Sequence, residues 1–138
     1  MYEFPLLIIC LLILIVFIWW MPKEKYFYHY TDERGAYGIL SSGIIKESTD
    51  TQRDAILGKG VYVTDLPPRT LDNQLLVNNY DGATKAGDTN NVSYCVQLVA
   101  RGLQINRFMK DLLTGRQVYK HEGDIMLSEY NVQIFRRA

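Results

Sequence analysis

The sequence has few of the residues from which disulfide frameworks and metal sites are built. Its 138 residues include two cysteines and two histidines. Cys10 lies in an apolar N-terminal run, so Cys95 has no partner for an intrachain disulfide in the rest of the chain, and nothing indicates an oxidising compartment. The chain has no Cys/His cluster with zinc-binding spacing, so no metal site is predicted.

The chain also has no excess of charge of either sign. Fifteen basic residues balance fifteen acidic ones, and the formal net charge is zero. Without a basic excess there is no electrostatic argument for nucleic acid as a partner. The length allows a single domain of modest size.

Charged residues are absent from one long segment, residues 4–21, which consists almost entirely of large apolar residues. Eighteen helical residues span about 27 Å, close to the thickness of a bilayer's hydrocarbon core. Trp19 and Trp20 end the segment, where interfacial aromatic residues are common. The sequence therefore predicts a single-pass transmembrane helix. A cleaved signal peptide is the alternative, although no basic residue precedes the apolar run.

The predicted membrane helix divides the chain into two parts. Residues 1–25 form the anchor with its flanks, and residues 26–138 form the folded domain. Lys23 and Lys25 follow the helix, whereas Glu3 precedes it. The positive-inside rule then places the C-terminal domain in the cytoplasm.

The domain begins with a strand and a helix. An aromatic strand is expected at residues 26–30, followed by a helix that Thr31 caps. Ala36, Ile39 and Leu40 form the apolar stripe expected to bury one face of that helix. Gly43 is suited to its left-handed end.

Short segments make up the rest of the domain. Strands or extended pieces are predicted at residues 44–45, 60–64, 93–100, 117–120 and 130–135, a short helix at 70–78, and loops at 48–57 and 81–91. Several short strands with few helices predict an α+β fold.

Three short motifs occur in a characteristic order. Residues 28–31 read Tyr-His-Tyr-Thr, residues 58–65 read Gly-Lys-Gly-Val-Tyr-Val-Thr-Asp, and residues 127–132 read Leu-Ser-Glu-Tyr-Asn-Val. Together they resemble the His-Tyr-Glu constellation of diphtheria-toxin and poly-ADP-ribose-polymerase types, and most of all the HYD-signature ADP-ribosyltransferases of polymorphic toxins. The resemblance covers residues 25–135. It implies a split β-sheet core that holds NAD in a cleft.

The resemblance assigns roles to the first motif. His29 is expected to contact the adenosine ribose of NAD, and the backbone of Tyr30 to pair with the nicotinamide carboxamide. Glycine is usual at the Tyr30 position, so the ring of Tyr30 has to point away from the ligand. Thr31 offers a hydroxyl near the ribose, although helix capping alone explains it.

In the second motif, Tyr62 is expected to stack on the nicotinamide ring. Related polymerases carry another tyrosine about eleven residues later, and this chain has none there. Leu71, Leu75 and Tyr80 are the candidates to close the other side. Lys59 is expected to be a solvated turn residue.

The third motif supplies the predicted catalytic carboxylate, Glu129. The transition state for breaking the nicotinamide–ribose bond resembles an oxocarbenium ion, which a carboxylate stabilises. Asp124 competes for this role. Arginine-specific transferases use a Glu-x-Glu pair, which Leu127 disfavours here. His121 is expected at the surface rather than as a ligand.

The sequence thus predicts an NAD-dependent mono-ADP-ribosyltransferase that modifies a protein acceptor and releases nicotinamide. A catalytically inactive module that binds NAD or ADP-ribose and an NAD glycohydrolase remain alternatives on the same fold. Transfer of a tRNA 2′-phosphate is disfavoured because the chain has no basic patch.

Overall fold

The computed structural model describes residues 3–49, 58–80 and 88–138 and has the predicted α+β fold. In this described part lie three α-helices: α1 Glu3–Trp20, α2 Glu33–Ser42 and α3 Asp72–Tyr80. The strands are β1 Glu24–Thr31, β2 Ile44–Ile45, β3 Val61–Thr64, β4 Tyr94–Arg101, β5 Phe108–Lys110, β6 Val118–His121, β7 Ile125–Met126 and β8 Asn131–Arg136.

Six of the strands form one antiparallel sheet in the order β5-β6-β3-β1-β4-β8, and β2 pairs with β7 in a separate ribbon. Strand β1 is paired with β4 along its whole length, from Glu24 opposite Arg101 to Thr31 opposite Tyr94. Its pairing with β3 is limited to Tyr28 opposite Thr64. The two strands therefore separate beyond Tyr28, and the sheet opens between them.

Apolar side chains cover both faces of the sheet, because successive residues of a strand point to opposite sides. On one face the Phe27 ring stacks on Phe108 with centroids 4.1 Å apart and meets the edge of Tyr119 at 5.0 Å. Full burial of a side chain of this size contributes about 1.5–3 kcal/mol. The other face is covered by a second cluster: Tyr30, Leu75, Leu76, Val92 and Cys95.

Helix α2 begins one residue later than predicted, and its cap is Asp32 rather than Thr31. The Asp32 carboxylate accepts a hydrogen bond from the Gly35 amide at 2.7 Å, whereas Thr31 still belongs to β1. Gly43 ends the helix in the left-handed conformation with φ 69°, as predicted.

The buried face of α2 is narrower than predicted. Ala36 and Ile39 are buried, but Leu40 is 63 % exposed, so its assignment to the buried stripe is wrong. Helix α2 contacts β1, β4 and β8, and only Ala36 and Ile39 of the predicted stripe are buried by this packing.

The other predicted segments mostly form, with ends shifted by one or two residues. Strands β5 and β7, of three and two residues, were not predicted. Residues 89–91, the end of the predicted loop 81–91, belong instead to a 3₁₀ helix, Thr89–Val92, that Asp88 caps. The predicted loop residues 50–57 and 81–87 lie outside the described part of the chain.

Helix α1 coincides with the apolar segment for which a transmembrane helix is predicted. Its apolar side chains are exposed, from Leu6 at 67 % to Trp20 at 85 %. Within the residues that the structure describes, however, no helix has both the length and the apolar character needed to cross a membrane. The prediction of a transmembrane helix over residues 4–21 is therefore not supported.

Candidate functional site

The opening between β1 and β3 forms a cavity, called here the β1–β3 cavity. Both strands contribute to its walls, as do the segment after β2, the end of α3 and the start of β6. Its lining residues are Tyr28, His29, Tyr30, Lys46, Ser48, Gly60, Val61, Tyr62, Val63, Asn79, Tyr80 and Val118. The histidine and the tyrosine of the first two sequence motifs thus lie in the same cavity.

His29 bridges the two strands where their backbone pairing has ended. Its Nδ1 lies 2.9 Å from the carbonyl oxygen of Tyr62. Because a carbonyl oxygen only accepts, Nδ1 carries the proton. Burial lowers the pKa of His29, although the hydrogen bond to Tyr62 opposes this effect. At neutral pH the ring is therefore uncharged, and the lone pair of Nε2 remains as an acceptor.

Tyr62 faces away from the first core cluster. Its neighbours Val61 and Val63 are buried in that cluster, and strand alternation directs Tyr62 to the opposite side, where it is only partly buried. The Tyr62 hydroxyl donates a hydrogen bond of 2.5 Å to the carbonyl oxygen of Gly58. This bond anchors the hydroxyl end of the ring, and Tyr62 is among the residues that line the cavity.

Both glycines of the Gly-Lys-Gly turn before β3 are explained by the backbone geometry. Gly58 has φ 87°, a left-handed conformation that glycine adopts without strain. A Cβ at Gly60 would lie 2.7 Å from the carbonyl oxygen of His121 on β6. The first glycine permits the turn, and the second permits close approach of β6. Lys59 between them is exposed, as predicted.

Of the three residues predicted to face Tyr62 across the ligand, Tyr80 lines the cavity. Leu75 is fully buried in the second core cluster, and Leu71 is 64 % exposed. Tyr80 ends α3, and its hydroxyl lies 3.5 Å from the carbonyl oxygen of Asn91. Tyr62 and Tyr80 thus line the cavity together with Tyr28 and Tyr30, although the separation of Tyr62 and Tyr80 in sequence is larger than that of the two tyrosines in the polymerases.

The ring of Tyr30 packs into the second core cluster. Its hydroxyl donates to the carbonyl oxygen of Leu66 at 2.8 Å, and the guanidinium of Arg137 lies 5.4 Å from the ring centroid. Burial raises the pKa of Tyr30. The Tyr30 side chain thus packs in the second core cluster, and Tyr30 is also among the residues that line the cavity. Thr31 ends β1 and is not among the residues that line the cavity.

Lys46 and Ser48 line the β1–β3 cavity, and the sequence prediction did not assign them a role. Ser48 is joined to Gly60 by two backbone hydrogen bonds of 2.8 and 3.3 Å. Alternate residues of an extended segment lie on the same side. The sequence Lys46-Glu47-Ser48 therefore indicated only that Lys46 and Ser48 share a side. That signal is weak because it needs the position of β3, which the sequence does not give.

Glu129 lies in a different place from His29 and Tyr62. It borders a second cavity, called here the β6–β7 cavity, together with Asn106, Arg107, Met109, His121, Glu122 and Asp124. One carboxylate oxygen of Glu129 is 2.6 Å from Nη1 of Arg107, and these side chains are 48 % and 51 % exposed respectively.

Asp124 connects the two cavities. Its Oδ1 accepts a hydrogen bond of 2.8 Å from the backbone amide of Glu47, which lies between Lys46 and Ser48. The competing carboxylate therefore contacts the wall of the β1–β3 cavity from the other side.

His121 is buried rather than at the surface, with 8 % exposure, so that prediction is wrong. Alternation along β6 turns it toward the first core face, where its ring centroid lies 5.2 Å from that of Phe108.

Comparison with known proteins identifies a family. A family model described as "HYD1 signature containing ADP-ribosyltransferase" matches residues 27–109. The match includes β1 with His29 and β3 with Tyr62, and it ends before Asp124 and Glu129. No curated protein and no solved structure matches the chain.

Proposed function

Because the chain belongs to the ADP-ribosyltransferases that contain the HYD1 signature, we propose that it transfers ADP-ribose from NAD to an acceptor and releases nicotinamide. The observation that supports this proposal best is the β1–β3 cavity, in which His29, Tyr62 and Tyr80 line one space. We propose a protein as the acceptor.

The rings of Tyr62 and Tyr80 suit the nicotinamide end of NAD. In oxidised NAD this ring is a flat cation, and aromatic faces attract flat rings and cations. Each stacking contact is worth about 0.5–1.5 kcal/mol beyond the area that it buries. Tyr62 supplies one face and Tyr80 the other in this proposal. The buried ring of Tyr30 leaves only its backbone for the carboxamide.

His29 suits a sugar hydroxyl. Its Nδ1 proton is committed to the carbonyl oxygen of Tyr62. The free lone pair on Nε2 then accepts a hydrogen bond from a ribose hydroxyl. An uncharged imidazole is the form that can do this, and burial favours that form. In this role His29 positions NAD and exchanges no proton with it.

The proposed reaction breaks the bond between the ribose C1′ and the nicotinamide nitrogen. The bonding electron pair leaves with nicotinamide, an acceptor atom forms the new bond to C1′, and the acceptor loses a proton. Positive charge develops on the ribose, and we propose that the Glu129 carboxylate stabilises it. Glu129 has to leave Arg107 to do so. Both side chains are about half exposed, and such pairs contribute only about 0–1 kcal/mol.

A specific observation favours a second candidate, an inactive NAD- or ADP-ribose-binding module. Among the described residues, no carboxylate lines the cavity that contains His29 and Tyr62. If Glu129 never reaches the ribose, the domain binds the dinucleotide without cleaving it. NAD hydrolysis is a third possibility on the same site, with water in place of the acceptor.

Release of nicotinamide from NAD distinguishes these functions. The protein is incubated with NAD carrying label in the adenine, with and without a mixture of proteins as acceptors. A transferase releases nicotinamide and transfers the label to protein. A glycohydrolase releases nicotinamide and leaves free ADP-ribose. Binding of NAD by calorimetry without nicotinamide release identifies the inactive module, and absence of binding refutes all three.

A further inference from the structure

We infer that Lys46 binds the diphosphate of NAD and that Asp124 is a positioning residue that holds Lys46 at the cavity. This inference rests on the proposed function, since it requires that NAD enter the β1–β3 cavity. It adds a binding residue to that cavity and gives Asp124 a role other than catalysis.

The first argument is charge. NAD carries two negative charges on its diphosphate. Among the described residues that line the cavity, Lys46 is the one whose side chain is a permanent cation at neutral pH, and none is a carboxylate. No ion pair of Lys46 with another described residue is present either. As far as residues 3–49, 58–80 and 88–138 are concerned, its ammonium group can form a charge-assisted hydrogen bond to a phosphate oxygen.

The second argument is position. Lys46 and Ser48 both line the cavity, and the residue between them is held from the opposite side. Ser48 is fixed by its backbone pairing with Gly60, and the amide of Glu47 is fixed by Oδ1 of Asp124 at 2.8 Å. The backbone around Lys46 is thus anchored, while its side chain is exposed and long enough to follow a ligand.

Calorimetry with three ligands tests the role of Lys46. NAD and ADP-ribose both carry the diphosphate, whereas nicotinamide riboside carries no phosphate. We expect Lys46→Ala to weaken the binding of NAD and ADP-ribose about tenfold, the lower end for a lost charged hydrogen bond, and to leave nicotinamide riboside unaffected. Lys46→Arg should retain most of the affinity. Lys59→Ala is the matched control, because Lys59 is also an exposed lysine but does not line the cavity.

The role of Asp124 is tested through the same measurement. Asp124→Ala removes the acceptor for the Glu47 amide and should weaken NAD binding about threefold to fivefold, whereas Asp124→Asn keeps an acceptor oxygen and should restore the affinity. If Asp124 acts through Lys46, the double variant Lys46→Ala/Asp124→Ala should bind NAD no more weakly than Lys46→Ala alone. Additive losses would refute the positioning role.

The results separate this inference from the proposed function. If the wild-type protein binds NAD and Lys46→Ala binds it equally well, the inference is wrong and the proposed function stands. If Lys46→Ala weakens nicotinamide riboside as much as NAD, Lys46 acts on the structure of the cavity and the inference is again wrong. If the wild-type protein binds neither NAD nor ADP-ribose, the proposed function itself is refuted.

Discussion

The two cavities differ in the chemistry of their walls. The β1–β3 cavity has tyrosine rings, an uncharged histidine and one lysine, a combination suited to holding a dinucleotide. The β6–β7 cavity has Arg107, buried His121 and three carboxylates, Glu122, Asp124 and Glu129. The groups proposed to bind NAD and the groups proposed to stabilise a cation are therefore separated in this structure. Catalysis on the proposed pathway requires them to meet at one ribose.

The strand order alone does not explain the separation. His29 and Tyr62 lie on neighbouring strands, at the point where β1 and β3 diverge. Glu129 directly precedes β8 at one edge of the sheet, yet the cavity that it borders also includes Met109 of β5 and His121 of β6. What connects the cavities is the contact of Asp124 with the Glu47 amide. Asp124 borders the β6–β7 cavity, and Glu47 lies between two residues that line the β1–β3 cavity, so this hydrogen bond joins the two walls.

The largest expected effect concerns Glu129 and decides whether the second cavity takes part in the chemistry. Glu129→Gln keeps the size of the side chain but removes its charge. Because the charge acts on the transition state, NAD binding should change little. Nicotinamide release should fall about 10²–10³-fold, the scale for one preorganised electrostatic group. Steady-state rates and calorimetry on the same preparation measure the two effects.

Glu122→Gln is the control for that variant, because Glu122 borders the same cavity with its side chain 76 % exposed. Its turnover should equal that of the wild type. If Asp124→Asn abolishes nicotinamide release and Glu129→Gln does not, the catalytic carboxylate is Asp124, and the assignment of Glu129 is wrong.

The next effect is on stability and concerns Gly60, which lines the β1–β3 cavity and lies close to His121 of the β6–β7 cavity. A Cβ there would lie 2.7 Å from the carbonyl oxygen of His121 and equally close to Cγ of Lys120. Backbone atoms cannot move aside cheaply, so Gly60→Ala should lower the free energy of unfolding by about 1–3 kcal/mol. Urea denaturation measures it.

Gly38→Ala is the matched control for Gly60→Ala. Gly38 lies within α2, and a Cβ there has nothing within 4 Å. Alanine is the better helix former by up to about 1 kcal/mol, so this variant should be at least as stable as the wild type. Equal effects at the two glycines would contradict the close approach of β6 to Gly60.

Much of the sheet could be predicted from the sequence, because alternating and buried segments have a clear period. The family was also predictable, from the order of the motifs around His29 and Tyr62. The position of Lys46 was not, and Tyr80 was one of three candidates that the sequence could not separate. Both positions depend on which strands are neighbours and where β1 and β3 diverge, and local sequence patterns do not encode these distances.

The surroundings of Glu129 were likewise not predictable from the sequence. The order of three motifs along a chain predicts a constellation, but a carboxylate at the start of a strand can pair with any cation that a neighbouring turn brings close. Here that cation is Arg107 at 2.6 Å. The Glu129 motif contains nothing that indicates this partner, which lies 22 residues earlier in the chain.

A smaller effect tests the aromatic walls of the β1–β3 cavity. Tyr62→Ala removes a stacking face and should weaken NAD binding by about 1–2 kcal/mol, with Tyr80→Ala in the same range. Circular dichroism should show a folded protein in both cases. Tyr80→Phe, which keeps the ring, should bind like the wild type. A Tyr62→Ala variant that unfolds, together with a wild type that does not bind NAD, would make Tyr62 a structural residue only.

The smallest expected effect is the pH dependence contributed by His29 in the β1–β3 cavity. Burial lowers the pKa of His29 in the folded protein, whereas in the unfolded chain the pKa is about 6.5. The unfolded state then binds more protons than the folded state between those two values, so stability rises with pH in that window. His29 therefore favours the folded protein fully above about pH 6.5, and this advantage is lost as the pH falls through the folded pKa. We expect the free energy of unfolding of the wild type to fall between pH 7 and 5 because of this group. Urea denaturation of wild type and His29→Asn across this range measures the difference. The amide nitrogen of asparagine takes the position of Nδ1, the donor to the Tyr62 carbonyl oxygen, but does not titrate, so the stability of this variant should depend less on pH. Identical pH profiles would show that His29 titrates as it does in the unfolded chain and is not held uncharged by the cavity.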